Sequence, residues 1–251
     1  MKKNNNKLNA AIVIIGNEIL SGRTQDVNVV SISNWLNELG VKLQEVRVIP
    51  DIEHTIVKTI NEIRKKFKYV FTTGGIGPTH DDITSKSISK AFKKKYCYHP
   101  EAYKILENYY EKGKFNEGRK KMAKMPKGSS LIFNPSSAAP GFYFKNVYCL
   151  PGVPTILKSM LGGLNNKIIG GNKILSKTIS LRTVESEISI PLEKIQNKFK
   201  TLEIGSYPFF KQGKVGVSLV IRSKKLKLIN ECTNDIMLLV QKKKIKIITN
   251  K

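Results

Sequence analysis

Residues 8–15, LNAAIVII, make an apolar run that stops at Gly16. A strand that is apolar at successive positions is buried on both faces, and that burial is the property of a parallel sheet covered by helices on each side. The following segments repeat the theme. From Asp26 to Leu39 the apolar residues Val29, Val30, Ile32, Trp35, Leu36 and Leu39 form a helical stripe that ends at Gly40. VKLQEVRVI (41–49) alternates as a strand does, and Asp51 is placed to cap a helix with the stripe Ile52, Ile56, Val57, Ile60 and Ile63. KYVFTTGG (68–75) is a third strand, and Asp81 or Asp82 opens a third helix through Ile83, Ile88 and Phe92. Three strand–helix pairs with short links predict a doubly wound, mostly parallel α/β sheet.

Residues 99–125 read as helical, SSLIF (129–133) and GFYFKNVYCL (141–150) as extended, and LPGVPTILKSML (150–161) as a strand end, a turn and a helix. The rest has a different order. ILSKTISLRT (174–183) reads as a strand, 185–199 as an amphipathic helix that Pro191 could interrupt, 201–209 and 213–223 as paired strands, and 225–243 as a helix. The expected organisation is a basic disordered start at 1–7, an α/β domain over 8–165, a polar linker NNKIIGGNK (165–173) and a small α+β domain over 172–251.

Composition narrows the function classes. The chain has 251 residues, of which 40% are hydrophobic and 25% charged, enough for packed cores. No apolar run approaches the roughly 20 residues of a membrane span, and the start does not read as a secretory signal, so a cytoplasmic protein without a membrane partner is expected. Cys97, Cys149 and Cys232 are far apart and form neither a metal-type pair nor a disulfide framework. His54, His80 and His99 are equally scattered. Lysine and arginine total 44 against 19 acidic residues. The excess is mostly lysine and is spread along the whole chain, so it reads as solvated surface charge and not as a specific nucleic-acid interface.

In an open parallel sheet, ligands gather at the carboxyl ends of the strands. There this sequence places Gly16-Asn17-Glu18, the stretch Gly74 to Asp82, and Pro151-Gly152-Val153-Pro154. Gly74, Gly75 and Gly77 permit close backbone approach and can present N–H groups to an anionic oxygen, with Thr79 and Thr84 as hydroxyl donors. The same glycines could also form a plain tight turn. Asp81 and Asp82 repel a phosphate unless a hard cation lies between, most simply Mg²⁺. One of the two can serve as a helix cap; the other has no structural need to be there. Glu18 could be a third carboxylate for the metal, a base for water, or a solvated loop residue. Ser136 and Ser137, in the loop that leads to Gly141, could contact a ligand or merely form a turn.

Taken in order, Gly16-Asn17-Glu18-Ile19-Leu20-Ser21-Gly22, Asp26-Val27-Asn28, GGIGPTHDDIT, the Ser-Ala-Ala-Pro-Gly-Phe run and LPGVP resemble the MoaB/Mog-type molybdopterin-binding domain, in its branch of competence/damage-inducible (CinA-like) proteins. The tail, with EIGSYPFF (203–210) and GKVGVSLVIRS, resembles the segment that follows this domain in CinA-like proteins and in the N-terminal half of eukaryotic FAD synthases. The resemblance implies binding of a nucleotide or phosphorylated pterin. It also implies hydrolysis of nucleotide pyrophosphates such as ADP-ribose or FAD, with Mg²⁺, Mn²⁺ or Co²⁺ as the divalent ion and K⁺ as a companion. Asp82 would then handle phosphate and, with Asp81 and Glu18, carry the metal and the catalysis. Gly16, Asn17, Ser21, Asn28, Gly74, Gly75, Gly77, Pro78, Thr79, Thr84, Ser136, Ser137, Gly141, Gly152 and Val153 would line the substrate. Asn17 stands where relatives commonly carry threonine or aspartate, and Val27 where threonine is frequent. The resemblance leaves no room for the C-terminal amidohydrolase domain of full-length CinA or for the adenylyltransferase domain of FAD synthase. Relatives form dimers or trimers, and an exposed Trp35/Leu36/Leu39 stripe is a candidate contact.

Overall fold

The computed structural model describes residues 8–211 and 213–248. The segment expected to be disordered, 1–7, lies outside the described residues. The chain divides into two compact units between Gly171 and Asn172.

The first unit opens with β1 (Asn9–Ile15), a short α1 (Asn17–Leu20), α2 (Asn28–Glu38), β2 (Lys42–Ile49), α3 (Glu53–Lys66), β3 (Tyr69–Thr73) and α4 (Thr84–Ala91). It continues with β4 (Tyr96–Tyr98), α5 (Pro100–Tyr109), α6 (Glu117–Lys121), β5 (Lys124–Pro126), β6 (Ser130–Ile132), β7 (Gly141–Phe144), β8 (Val147–Leu150) and α7 (Pro154–Leu161). The main sheet has the order β2-β1-β3-β8-β7-β6. β2, β1, β3 and β8 run parallel, and β7 is reversed between β8 and β6.

Burial of β1 on both faces follows from its neighbours. Ala11, Val13 and Ile15 join one core with Ile56, Ile60 and Ile63 of α3 and Ile88 of α4. Ala10, Ile12 and Ile14 join the opposite core with Ile32 and Leu36 of α2 and Leu157 and Met160 of α7. Successive residues of one strand thus serve two cores, which is why the sequence shows no alternation there. β2 lies at the sheet edge, with alternating half-burial, and so keeps the alternation seen in the sequence. Phe71, fully buried, stacks on Tyr148 and meets Trp35 edge-on; burial of such a ring contributes about 1.5–3 kcal/mol.

Several expectations are corrected. The stripe Trp35/Leu36/Leu39 is not an exposed contact: Leu36 is fully buried, Trp35 and Leu39 pack against the same core, and the Trp35 indole N–H donates to Asn165 Oδ1 at 2.7 Å. The helix expected over 99–125 is broken into α5 and α6, and β5 pairs with β4 in a separate two-stranded sheet. Of the segment 165–173, expected to be a linker, Ile169 and Gly171 are fastened to the first unit. The Tyr69 hydroxyl donates to Ile169 O and accepts its N–H, and Gly171 N–H donates to Leu39 O.

The second unit contains β9 (Leu175–Arg182), α8 (Glu185–Lys198), β10 (Glu203–Lys211), β11 (Lys214–Ser223), α9 (Leu226–Lys242) and β12 (Lys246–Ile248). Its antiparallel sheet has the order β10-β11-β9-β12, and Leu181, Leu219 and Ile221 pack against Ile188 of α8 and Ile229, Cys232 and Ile236 of α9. Pro191 sits inside α8 without ending it. β12 has no counterpart in the sequence-based expectation; three residues carry too little pattern.

One close approach positions the ligand end of the first unit. At Gly74, just past β3, φ is +94° and a Cβ would lie 2.2 Å from Ile15 O at the end of β1. Gly22 has a similar φ of +72° but open space around it. Gly22→Ala is therefore expected to cost only the left-handed backbone penalty, about 1 kcal/mol, whereas Gly74→Ala adds a backbone collision and costs at least about 3 kcal/mol. Urea unfolding of the two variants measures both; equal losses would show that the β1–β3 approach carries no stability.

Candidate functional site

Two neighbouring structures form at the carboxyl ends of the parallel strands, and they meet at Gly74. The first is the loop 74–83 that joins β3 to α4. Gly74 N–H donates to Leu150 O, and Thr84 N–H donates to Gly75 O. Thr84 is fully buried and its hydroxyl donates to Gly74 O at 3.0 Å, so it builds the loop and is not presented to a ligand. A Cβ on Gly75 would lie 2.2 Å from that hydroxyl. Asp82 does not cap α4, whose cap position is Ile83 with no side-chain bond. Its Oδ2 instead accepts the Thr79 N–H at 2.8 Å and the Thr79 hydroxyl at 2.5 Å, closing a turn around His80 and Asp81. The carboxylate lies against Gly77, where a Cβ would come within 2.6 Å of Oδ2. The bonds that shape the loop use the N–H groups of Gly74, Thr79, Asp82 and Thr84; those of Gly75, Ile76 and Gly77 are not among them.

Asp81 stands exposed beside this turn. Its carboxyl is held below the usual range, first by the dipole of the neighbouring Thr79 hydroxyl, whose one proton is bonded to Asp82, then by its own backbone N–H and the nearby charges of His80 and Lys121. Lys121 of α6 donates to Thr79 O, so a cation is fixed against the loop. α6 sits close enough that a Cβ on Gly118 would be 3.2 Å from Pro78 O. Lys121 was invisible in the sequence because it is one lysine among many; only the packing of α6 distinguishes it.

The second structure is a small pocket of about 60 Å³ between the end of β1 and the start of α2, lined by Glu18, Asp26, Asn28, Gly74 and Gly152 among others. Asp26 Oδ1 accepts Val29 N–H and so fixes the first turn of α2. Asn28, the first residue of α2, donates through Nδ2 to Gly152 O at 2.8 Å. Gly152 in turn lies against Gly74, a Cβ there falling 3.5 Å from Gly74 Cα. Asn17 and Ser21 are exposed; the Asn17 amide is engaged by Asp51, and the Ser21 hydroxyl donates to Glu18 O. The Glu18 carboxylate folds back over Gly16, where a Cβ would collide at 2.5 Å.

Asp51 is the residue that sequence reasoning misplaced. It is not the cap of α3, whose cap position is Ile52 without a side-chain bond. Its Oδ2 accepts Asn17 N–H at 2.9 Å and ties the end of β2 to the loop after β1. Burial raises its pKa first, the Asn17 N–H opposes that, and the charges of Glu18, Asp81 and Asp82 raise it further. Asp51 is thus the group that feels both halves of the site. Among the described residues, no three or more His, Cys, Asp or Glu side chains are gathered into a metal-holding cluster.

The remaining expected residues are placed by the β6–β7 and β8–α7 connections. Asn134 organises the serine loop, accepting the N–H groups of Ser136 and Ser137 and donating to Ser137 Oγ and Ala139 O. The Ser136 hydroxyl donates to Ser159 of α7. Gly141 is buried in the sheet, with a Cβ meeting Cys149 O at 2.5 Å, so its smallness serves strand pairing. Val153 is half exposed at the entry to α7 and does not line the pocket. Since β7 begins opposite the end of β8, the serine loop lies on the same sheet edge as Gly74 and Gly152.

Comparison with known proteins agrees with this architecture. Residues 11–169 match a family model described as "Probable molybdopterin binding domain", and residues 173–248 one described as "FAD synthase, middle domain". A protein of Archaeoglobus fulgidus is 31% identical over 229 residues, covering 89% of this chain and 97% of that one. A CinA-like protein of Sulfurihydrogenibium sp. is 37% identical over 161 residues, 61% of this chain but only 40% of that protein. The crystal structure of CinA from Thermoplasma acidophilum, described as of unknown function, superposes with a TM-score of 0.62 at 32% identity and covers 65% of this chain and 99% of that chain. With a doubly wound first unit and an antiparallel α+β second unit, each matched by its own family model, the chain belongs to the molybdopterin-binding domain family as a CinA-like member of the MoaB/Mog group.

Proposed function

We propose that the first unit binds a phosphorylated nucleotide and hydrolyses its pyrophosphate bond with the help of a divalent metal ion. The observation that supports this reading best is the loop itself. The Thr79–Asp82 turn sets the Asp82 carboxylate against Gly77 and leaves Asp81 exposed next to it, and the N–H groups of Gly75 and Gly77 are not consumed by the loop. Those N–H groups, with Lys121, suit phosphate oxygens.

The donor set fits a hard divalent cation. Asp81 is exposed, and Asp82 has one oxygen committed to Thr79, so the protein offers a pair of carboxylates and not a full cage. Mg²⁺ is commonly held in this way, by one or two carboxylates with substrate phosphates and water completing the shell. Asp81 and Asp82 would hold the ion, and Glu18 would serve from the loop after β1. The chemistry such an ion supplies when bound is polarisation of phosphorus and a lower pKa for the attacking water. The chain's own part is to orient the phosphates on Gly75 and Gly77, to balance their charge with Lys121, and to accept a proton from water on Glu18. Asp51 positions Glu18 through the Asn17 N–H.

A second reading, a binding protein without turnover, is favoured by the lack of a three-ligand cluster among the described residues. An assay separates the two. The purified chain is incubated with ADP-ribose, FAD, NAD and dinucleoside polyphosphates, with Mg²⁺, Mn²⁺ or Co²⁺ and K⁺, and release of AMP is followed by chromatography. Metal-dependent release is expected, and Asp82→Ala should lower it at least about 100-fold. Because Asp82 also closes a turn, Thr79→Ala serves as the control: it loses a similar ~1 kcal/mol of local stability but keeps the carboxylate and most of the turnover. Unchanged turnover in Asp82→Ala would remove its role, and no turnover with any compound would leave the binding reading.

The raised pKa of Asp51 gives a separate test. A carboxyl raised by folding contributes stability below its unfolded pKa and loses it as pH rises through the folded value. Asp51→Asn keeps an acceptor for Asn17 N–H and removes the charge. Its melting temperature should match the parent near about pH 3 and rise above it by about pH 7. A parallel pair of curves would show that Asp51 is not strained by its neighbours.

A further inference from the structure

The antiparallel sheet of the second unit has two unlike faces. Ile179, Leu181, Val217, Leu219 and Ile221 belong to the core with α8 and α9. Side chains alternate along a strand, so Thr178, Ser180, Arg182, Ser218 and Arg222 point to the other face. Cross-strand partners share a face. Tyr207 opposite Ser218, Phe209 opposite Gly216 and Lys246 opposite Arg182 therefore lie on it too. Hydroxyls occupy its middle, where Ser180 Oγ and Ser218 Oγ are 3.1 Å apart.

Two aromatic rings on so polar a face are not core packing, and Tyr207 is 45% exposed. Each ring leans over a glycine. A Cβ on Gly205 would lie 2.5 Å from Tyr207 Cε2 and 2.7 Å from its Oη, and a Cβ on Gly216 would lie 2.4 Å from Phe209 Cζ. The glycines let both rings settle along the sheet, the posture in which a ring can meet a planar ligand. Tyr207 and Phe209 are two residues apart, a step of about 6.8 Å along β10, which suits successive bases of an extended single strand. A cation is held beside the first ring. Arg222 Nη1 donates to Tyr207 Oη at 3.2 Å, and its guanidinium carbon is 5.9 Å from the ring centroid. Arg182 and Lys246, side by side and exposed, add two more cations, against the carboxylate of Glu203 opposite Arg222.

This pattern selects among occupants. A further strand is disfavoured, because Pro208 stands in the edge strand β10 and has no N–H to give. A hydrophobic partner would have to bury Thr178, Ser180, Ser218 and Arg222. A nucleic-acid duplex keeps its base faces stacked inside. We propose that this face binds single-stranded nucleic acid, with bases stacked on Tyr207 and Phe209 and phosphates met by Arg222, Arg182 and Lys246. Stacking uses the π-face that every base has, so the binding tolerates sequence. It is independent of the phosphate site of the first unit.

The chain's formal charge of +25 attracts any polyanion, so the test separates stacking from charge. Fluorescence anisotropy measures binding of the full chain to an oligothymidylate of about twelve nucleotides and to an abasic strand with the same number of phosphates, at about 150 mM KCl. The base-bearing strand should bind at least about tenfold more tightly than the abasic one. This comparison needs no variant. Tyr207→Leu combined with Phe209→Leu keeps an apolar cover over the glycines but removes the rings. It should bring the ratio to within about twofold of one and leave abasic affinity within about twofold of the parent, whereas Tyr207→Phe should keep the ratio. Arg222→Gln should weaken binding of both strands and lower the slope of log affinity against log salt by about 0.7. Equal affinity for the two strands in the parent chain means attraction by charge alone and overturns the proposal. A ratio that survives the double variant places the stacking elsewhere and overturns it as well.

Discussion

The exit of β3 passes so near the end of β1 that only a residue without a side chain can stand there. Gly74 takes a left-handed φ, its N–H reaches Leu150 on β8, and its Cα faces both Ile15 O and Gly152. Three strand ends are thereby drawn together, and each sends its own loop outward. The glycine loop, the loop of Glu18 and the turn at Gly152 are neighbours because of this one packing constraint. Were a Cβ present, the strands would have to separate at the end where the polar groups converge.

Charge is distributed across the same edge with a clear division. Asp51, Glu18, Asp81 and Asp82 are close enough that Asp51 responds to the other three. Lys121 balances part of this field from α6 on the side of the glycine loop, and no cation lines the pocket on the other side. The question of why glycines and aspartates share one loop has a structural answer before any ligand is considered. Asp82 is needed to close the turn over Thr79, and Gly77 is needed because that carboxylate occupies the space a side chain would fill. Asp81 is free of that duty and stands exposed.

Burial explains which expectations transferred and which did not. β1 was legible because its two-sided burial makes successive residues apolar, and α2, α3 and α9 because their stripes have the helical period. β4, β5 and β12 were not, since each spans three residues and draws its order from partners distant in sequence. The stripe of Trp35, Leu36 and Leu39 read correctly as apolar, but its partner surface is the chain's own sheet and residues 164–168, which no local pattern shows.

For the site the boundary is sharper. Sequence by itself determined the family resemblance, the parallel sheet, and the presence of Gly74, Gly75, Gly77, Asp81, Asp82 and Glu18 at strand ends, because residue type and period are local properties. Tertiary structure decided what each does. It moved Asp51 from a helix cap to the Asn17 amide and Asp82 from a helix cap to the Thr79 turn. It spent Thr84 inside the loop, singled out Lys121, and left the Asn28 Oδ1 buried without a partner. Capping, burial and electrostatic fields are set by which atoms approach across 34 to 124 positions of chain, as in Asn17–Asp51 and Asn28–Gly152, and only the folded sheet brings those atoms together.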